Sequence, residues 1–290
     1  MAFMGIMSAI CVIINVILAV TDVFFIGLSL FIALILPLAS VIVELTCKDK
    51  YYPIFFVATI GLSLVATLWN IHTTILYLIP SLITGYFFGL SAKYKFSPVY
   101  SIIIGAIAQA LLTYLTIPLI NLIFGIDIIN TFLVFFQLQN SSTITIIIPS
   151  VILLLSLIQM TLSYLIISSE INKFGYEYQN ELKIIWPICA TTMFFSILII
   201  PFYFASLSVA YIFLIISIYF AVALVVNISY RKMWKTLIFS TLSVIIAAIC
   251  YVFLYKFLAF GSGLLLYGIA PLLISIIILV SSFLKKTTDK

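Results

Sequence analysis

Apolar residues run along this chain in long blocks broken by short polar interruptions, and the blocks rather than any motif set the architecture. The pattern predicts spans at 3–20, 23–43, 53–70, 74–92, 98–123, 143–168, 185–204, 207–229, 237–255 and 263–284. Each is about long enough for one hydrocarbon crossing, which takes about 20 apolar residues. The fold class expected is therefore all-α, a polytopic transmembrane helical bundle of about ten spans. Between the fifth and sixth spans, residues 124–143 read FGIDIINTFLVFFQLQNSST. At helical spacing Asp127, Asn130, Thr131, Val134 and Gln137 share one face and Ile128, Ile129, Phe132, Phe135 and Phe136 the other, the pattern of a helix lying in a membrane surface. This segment is expected to lid an outward-facing cavity.

Charge placement orients the spans. With the N-terminus inside, twelve of the thirteen cations fall in inner segments (Lys48, Lys50, Lys93, Lys95, Lys173, Lys183, Arg231, Lys232, Lys235, Lys285, Lys286 and Lys290), leaving Lys256 outside. Short-loop Lys/Arg bias sets topology, so both termini are expected to be cytoplasmic. Trp69, Trp186 and Trp234 fall at predicted span ends, where amphipathic rings favour the interface. Thr21 with Asp22, and Asn70 to Thr73, are read as minimal outer turns. The longest inner link, Glu170 to Lys183, carries five charges and divides the chain into a six-helix unit (1–169), a connector (170–184) and a four-helix unit (185–290).

Composition agrees. Hydrophobic residues make up 66% of the 290 and charged residues 7%, too little polar surface to cover a soluble core. The lipid bilayer is thus the expected surrounding. Net charge is +5, but the cations are scattered singly or in pairs, so no nucleic-acid partner is expected. Abundant Ile, Phe, Tyr, Asn and Lys point to an AT-rich, most simply bacterial, coding sequence. The N-terminus lacks the Lys/Arg region and cleavage site of a signal peptide, so its first apolar run is expected to be a retained helix.

Candidate chemistry is sparse. Cys11, Cys47, Cys189 and Cys250 have no metal-ligand spacing, and neither a metal nor any other cofactor is expected. No span carries a charged residue near its centre, which disfavours an ion-driven transporter. The lone histidine, His72, has no HExxH context, and no nucleophile with a base is evident, so catalytic residues are not assigned. The polar groups that remain are Asn15, Gln109 and Gln159 within spans, which bond across helices or to a ligand. Asp22, Trp69, Asn70, His72, Tyr114 and Asn121 lie near outer ends. Candidate substrate-binding residues are Asn15, Trp69, His72, Gln109, Tyr114, Asp127, Asn130 and Gln137. Gly5 with Ala9, and Gly85 with Gly89, are small residues four apart, which let helices approach closely, either inside the protein or against a partner.

The segments FMGIMSAICVIINVILA, LILPLAS around Pro37, GYFFGLSAKYK from Gly85 to Lys95, and YQNELKIIWP ending at Pro187 resemble the YybS-like family of bacterial polytopic membrane proteins. That family is distantly similar to the substrate-binding subunits of energy-coupling-factor transporters. The resemblance implies a substrate pocket near the outer face of the first six helices, with 124–143 as its lid. It also implies that Gly5 and Ala9 meet a transmembrane coupling subunit that works with ATPases. A small-molecule ligand bound from outside is the function expected. The alternatives are a scaffold or regulator using Glu170–Lys183 and Arg231–Lys235 as contact surfaces, and an intramembrane enzyme or lipid handler acting through His72 or Asp127.

Overall fold

The computed structural model describes residues 2–24, 26–125, 142–176, 185–230 and 263–288, with five further positions between 236 and 245. Its helices are α1 (Ala2–Phe24), α2 (Ile26–Ala33), α3 (Leu36–Thr46), α4 (Tyr52–Ala66), α5 (Ile79–Lys93), α6 (Pro98–Phe124), α7 (Ser142–Ile171), α8 (Ile185–Ala205), α9 (Leu207–Tyr230) and α10 (Gly263–Thr288). No strand occurs among the described residues. Six helical stretches there are long and apolar enough to cross a membrane: Ala2–Phe24, Leu68–Lys93, Pro98–Phe124, Ile146–Phe174, Ile185–Ala205 and Leu207–Ser229. The protein is an all-helical membrane protein.

Three sequence expectations are corrected. Thr21 and Asp22 are not a turn but the last part of α1, which continues to Phe24. The expected span 23–43 is broken into α2 and α3 by a 3-10 turn, in which Leu34 and Ile35 donate to the carbonyls of Phe31 and Ile32. The cause is Pro37 in the first turn of α3, because proline removes a helical donor and disfavours the α conformation just before it. The freed Leu34 carbonyl accepts from Ser163 Oγ on α7 at 3.1 Å, as membrane helices require of broken backbone. Finally, Asn70 to Thr73 are helical. The chain turns at Thr67 (φ −116°, ψ 35°) and re-enters through a 3-10 turn at Leu68–Asn70, an α turn at Ile71–Thr73 and a π turn at Thr74–Leu78. Pro80 follows at once in the first turn of α5, where its missing N–H costs no helical bond.

The chain forms two compact units, residues 1–141 with 152–179 and residues 142–151 with 180–290. In the first, α1 buries one stripe, Met4, Ser8, Cys11, Asn15 and Leu18, against α4 and the α2–α3 pair. That spacing of three and four is one helix face. Met4, Cys11 and Leu18 join Leu36, Ala39, Val43, Phe55 and Leu82 in the apolar core. The opposite face, with Ile6, Ile10, Ile13, Ile17 and Val20, is exposed and suits lipid. At the end of α6, Gly125 adopts φ +66° and its amide caps the Asn121 carbonyl, a left-handed termination that glycine tolerates without a Cβ clash.

The closest helix contact in this unit is α3 on α5, and two glycines permit it. A Cβ on Gly85 would stand 2.5 Å from the Pro37 carbonyl oxygen, and one on Gly89 would stand 2.7 Å from Glu44 Cβ. Small residues admit such approach between membrane helices. Gly5 differs, with nothing within 4 Å of the equivalent position.

In the second unit α8 packs on both α9 and α10, against α9 through an aromatic layer and against α10 where Gly268 faces Ile199. Phe195 stacks with Phe220 at 6.1 Å between centroids, and Phe202 meets Phe213 edge-on at 4.9 Å. Pro201 lies inside α8 and Pro271 inside α10.

Gly85→Ala is expected to lower unfolding stability in detergent by about 1–3 kcal/mol, the usual range for overpacking, with Gly89→Ala similar. Gly5→Ala is expected to stay within about 0.5 kcal/mol. A denaturant titration of the three variants beside the wild type checks the contrast.

Candidate functional site

Two polar clusters are buried in the first unit, one at each end of α1. The first is a seam between α1, α4 and the irregular stretch 67–78. Ser8, Asn15, Thr59, Ser63, Thr67, Asn70 and Thr74 are all at most 4% exposed. Thr59 Oγ1 donates to Ser8 Oγ at 2.9 Å. Farther along, Asn15 Nδ2 lies 2.7 Å from Thr74 Oγ1, which lies 2.8 Å from Thr67 Oγ1. Thr67 Oγ1 in turn donates to the Ser63 carbonyl at 2.8 Å. Asn70 Nδ2 reaches across to the Ala19 carbonyl at 3.0 Å, and Thr73 Oγ1 donates to the Asn70 carbonyl. The seam ends at His72, whose Nε2 is 3.4 Å from Asp22 Oδ2.

The α4 stripe that faces α1, Tyr52, Phe55, Thr59 and Ser63, is buried on the same spacing. Aliphatic neighbours dominate, so every polar atom here has to find its partner in the protein. Three do not: Asn15 Oδ1, Ser63 Oγ and Asn70 Oδ1 are buried without a hydrogen bond.

The second cluster lies at the other end. Glu44, in the last turn of α3, has a fully buried side chain, and its Oε1 stands 3.6 Å from Lys93 Nζ. Lys93 also bonds Asp49. That hydrogen bond from Lys93 holds the Asp49 carboxyl below its usual range. Neither Glu44 oxygen has a hydrogen bond, so the ammonium is its compensation. Nearby, Ser40 Oγ and Tyr52 Oη contact one another and both donate to the Leu82 carbonyl, at 2.8 and 2.6 Å. Tyr176 Oη donates to the Leu45 carbonyl at 3.0 Å.

Of the residues singled out in the sequence, the structure brings Asn15, Trp69, His72, Asp22 and Asn70 to one end of the first unit. Asn15 is inside, and Trp69 is 60% exposed. Gln109 is buried on α6, with Oε1 lacking a partner, and Tyr114 is exposed on the same helix. Asp127, Asn130 and Gln137 lie outside the described residues, as does most of the segment 124–143 read as a lid. Gly5 and Ala9 are exposed on α1. Sequence reasoning missed Glu44, taken as lying just past a span, and the threonines that complete the seam. For the first there was no signal, because its approach to Gly89 on α5 is made only by tertiary packing. For the threonines there was none, because Thr and Ser are common in membrane helices.

In the second unit, a cavity of about 330 Å³ opens between α9 and α10, lined by Val222, Val225, Val226, Tyr267, Pro271 and Ile274 among others. Its lining offers no charged group. Among the described residues no group of three His, Cys, Asp or Glu is placed to hold a metal. Cys11 and Cys189 are buried free thiols.

Lys93→Met leaves Glu44 buried and uncompensated. Burial already pushes the Glu44 carboxyl up to about 7, so without the ammonium it protonates; a loss of about 1–3 kcal/mol in unfolding stability is expected, and adding Glu44→Gln to the same chain is expected to recover most of it. Chemical denaturation of the single and double variants in detergent measures both. No family model, curated protein or solved structure matches the chain.

Proposed function

We propose that the protein binds a small molecule from the outer face of the cell membrane, as a component or relative of a transporter, with the first unit as the binding body. The buried polar seam carries this reading. It holds Asn15, Ser63 and Asn70 with unsatisfied atoms and closes at the His72–Asp22 pair. Helix packing alone would be served by apolar side chains, since an unmatched buried polar atom costs about 1–3 kcal/mol. Two features beside the seam support the reading further. Broken helices are frequent where membrane transporters bind their substrates, and here both the α2–α3 pair and the stretch 67–78 are interrupted.

The full reading has ten spans, both termini cytoplasmic and kinship with the YybS-like family. No nucleotide site is proposed within the chain, so transport requires a partner. The exposed face of α1 at Gly5 and Ala9, with open space over Gly5, is the proposed contact for a transmembrane coupling subunit served by ATPases. The same open face supports a second reading, a scaffold or regulator that docks other membrane proteins.

A thermal-shift screen of small molecules on the detergent-purified chain, with mass spectrometry of what co-purifies, tests these readings. A ligand is expected to raise the melting temperature, with roughly tenfold weaker binding in His72→Ala, about 1.4 kcal/mol. If no small molecule stabilises the protein and no transporter subunit co-purifies, the transport reading falls. A cross-link from Gly5→Cys to another membrane protein, without any ligand effect, favours the scaffold.

A further inference from the structure

The lysines of the first unit gather at one of its ends, the one that holds Glu44. Lys93 bonds Asp49, which ties the link between α3 and α4 to the end of α5. Lys48 and Lys50, on either side of Asp49, are therefore brought to the neighbourhood of Lys95, two residues past Lys93. Tyr176 Oη donates to the Leu45 carbonyl at 3.0 Å and brings the turn after α7, with Lys173, to the same end. Five lysines and three acids, Glu44, Asp49 and Glu170, share it. The acids are all engaged, Glu44 and Asp49 by Lys93 and Glu170 by Lys173. Lys48, Lys50 and Lys95 are exposed, and none of them has an ion-pair partner among the described residues.

Two features point to what these uncommitted charges meet. Lys95 has φ +52°, in the left-handed region where a side chain is strained and glycine is not. The Phe96 amide closes this turn on the Ser91 carbonyl at 2.8 Å, a helix ending whose left-handed position is usually glycine. Because the Lys95 side chain is exposed, burial does not offset that strain, and such outliers gather where a residue binds something. The same turn presents Tyr94 and Phe96, 62% and 56% exposed and edge-on to one another at 6.5 Å. In the adjoining link the Lys50 ammonium stands 5.0 Å over the Tyr51 ring. Exposed rings mixed with lysines just past an apolar run suit the headgroup layer of a bilayer, where anionic lipid attracts each ammonium. An acidic protein segment would meet the charges equally well but gives no reason for the exposed rings.

We propose that this end of the first unit is a docking site for the headgroup of an anionic glycerophospholipid, its phosphate on Lys48, Lys50 and Lys95 and its glycerol backbone against Tyr94 and Phe96. The inference is independent of the ligand proposed at the opposite end of α1. It needs only that these residues lie at headgroup depth, on whichever side of the membrane.

The test is the melting temperature of the purified full chain in neutral detergent with one of four additions. These are phosphatidylglycerol, phosphatidylcholine of the same acyl chains, glycerol 3-phosphate and hexaglutamate. Phosphatidylglycerol is expected to raise the melting temperature saturably by about 5 °C, and the others by less than about 1 °C. Lys95→Gly is expected to need about fivefold more phosphatidylglycerol for half the shift, and Lys48→Gln/Lys50→Gln/Lys95→Gly about a hundredfold more. Without lipid both should melt no lower than the wild type, since no ion pair is lost and glycine relieves the left-handed strain. Lys285→Gln/Lys286→Gln, on α10, is expected to respond like the wild type. Equal shifts from the two lipids overturn the proposal. So does a phosphatidylglycerol response unchanged in Lys95→Gly and the triple variant, which places the lipid elsewhere, or one weakened as much in Lys285→Gln/Lys286→Gln, which makes it a general charge effect. A shift from hexaglutamate or glycerol 3-phosphate as large as that from phosphatidylglycerol overturns it in favour of an acidic protein segment or free phosphate.

Discussion

A polar group carried into hydrocarbon has to find its hydrogen bonds inside the protein, and the first unit is arranged around that requirement. The inward stripe of α1 alternates apolar residues with Ser8 and Asn15. Each of these polar residues is met by a threonine, Thr59 from α4 and Thr74 from the π turn before α5. These bonds fix the rotation of α1 and its register against its neighbours, which non-directional apolar contact would leave looser. The same demand explains why Ser163 reaches the freed Leu34 carbonyl, and why Asn70 reaches Ala19.

The other end of the unit depends on proximity. Gly85 and Gly89 bring α5 against α3 closely enough that Glu44 is sealed from solvent. Burial pushes its carboxyl up to about 7, and Lys93, which also holds Asp49, is what favours its charged form. A buried carboxylate with one partner is weak evidence for stability. The two ends of α1 thus differ in kind, with a neutral seam at one and a charged pair at the other.

The second unit also buries polar side chains, among them Thr192, Ser217 and Ser275. Its α8 and α9 meet through the rings of Phe195, Phe202, Phe213 and Phe220, and its cavity is walled chiefly by aliphatic side chains. Among the described residues, the first unit joins its helices by directional hydrogen bonds such as Asn15 to Thr74 and Asn70 to the Ala19 carbonyl.

Hydropathy alone determined the class of this protein: blocks of apolar residues too long and too numerous for a soluble core, with few charged residues between them. It also placed most helix bodies, since α1, α6, α8 and α9 follow the apolar runs within a few residues. The interruptions at Leu34–Ile35 and Thr67–Leu78 escaped it, because a Pro in an apolar run reads equally as a kink, a break or a helix start until neighbours supply the missing bonds. The site was legible in fragments: Asn15, Asn70 and His72 stood out as rare polar groups. That Asn15 meets Thr74, 59 residues away, was decided by tertiary packing alone, as were the burial of Glu44 and the orphaned amide oxygens. Hydrogen-bond satisfaction is a property of pairs of atoms brought together in space, and one sequence supplies only one member of each pair at a time.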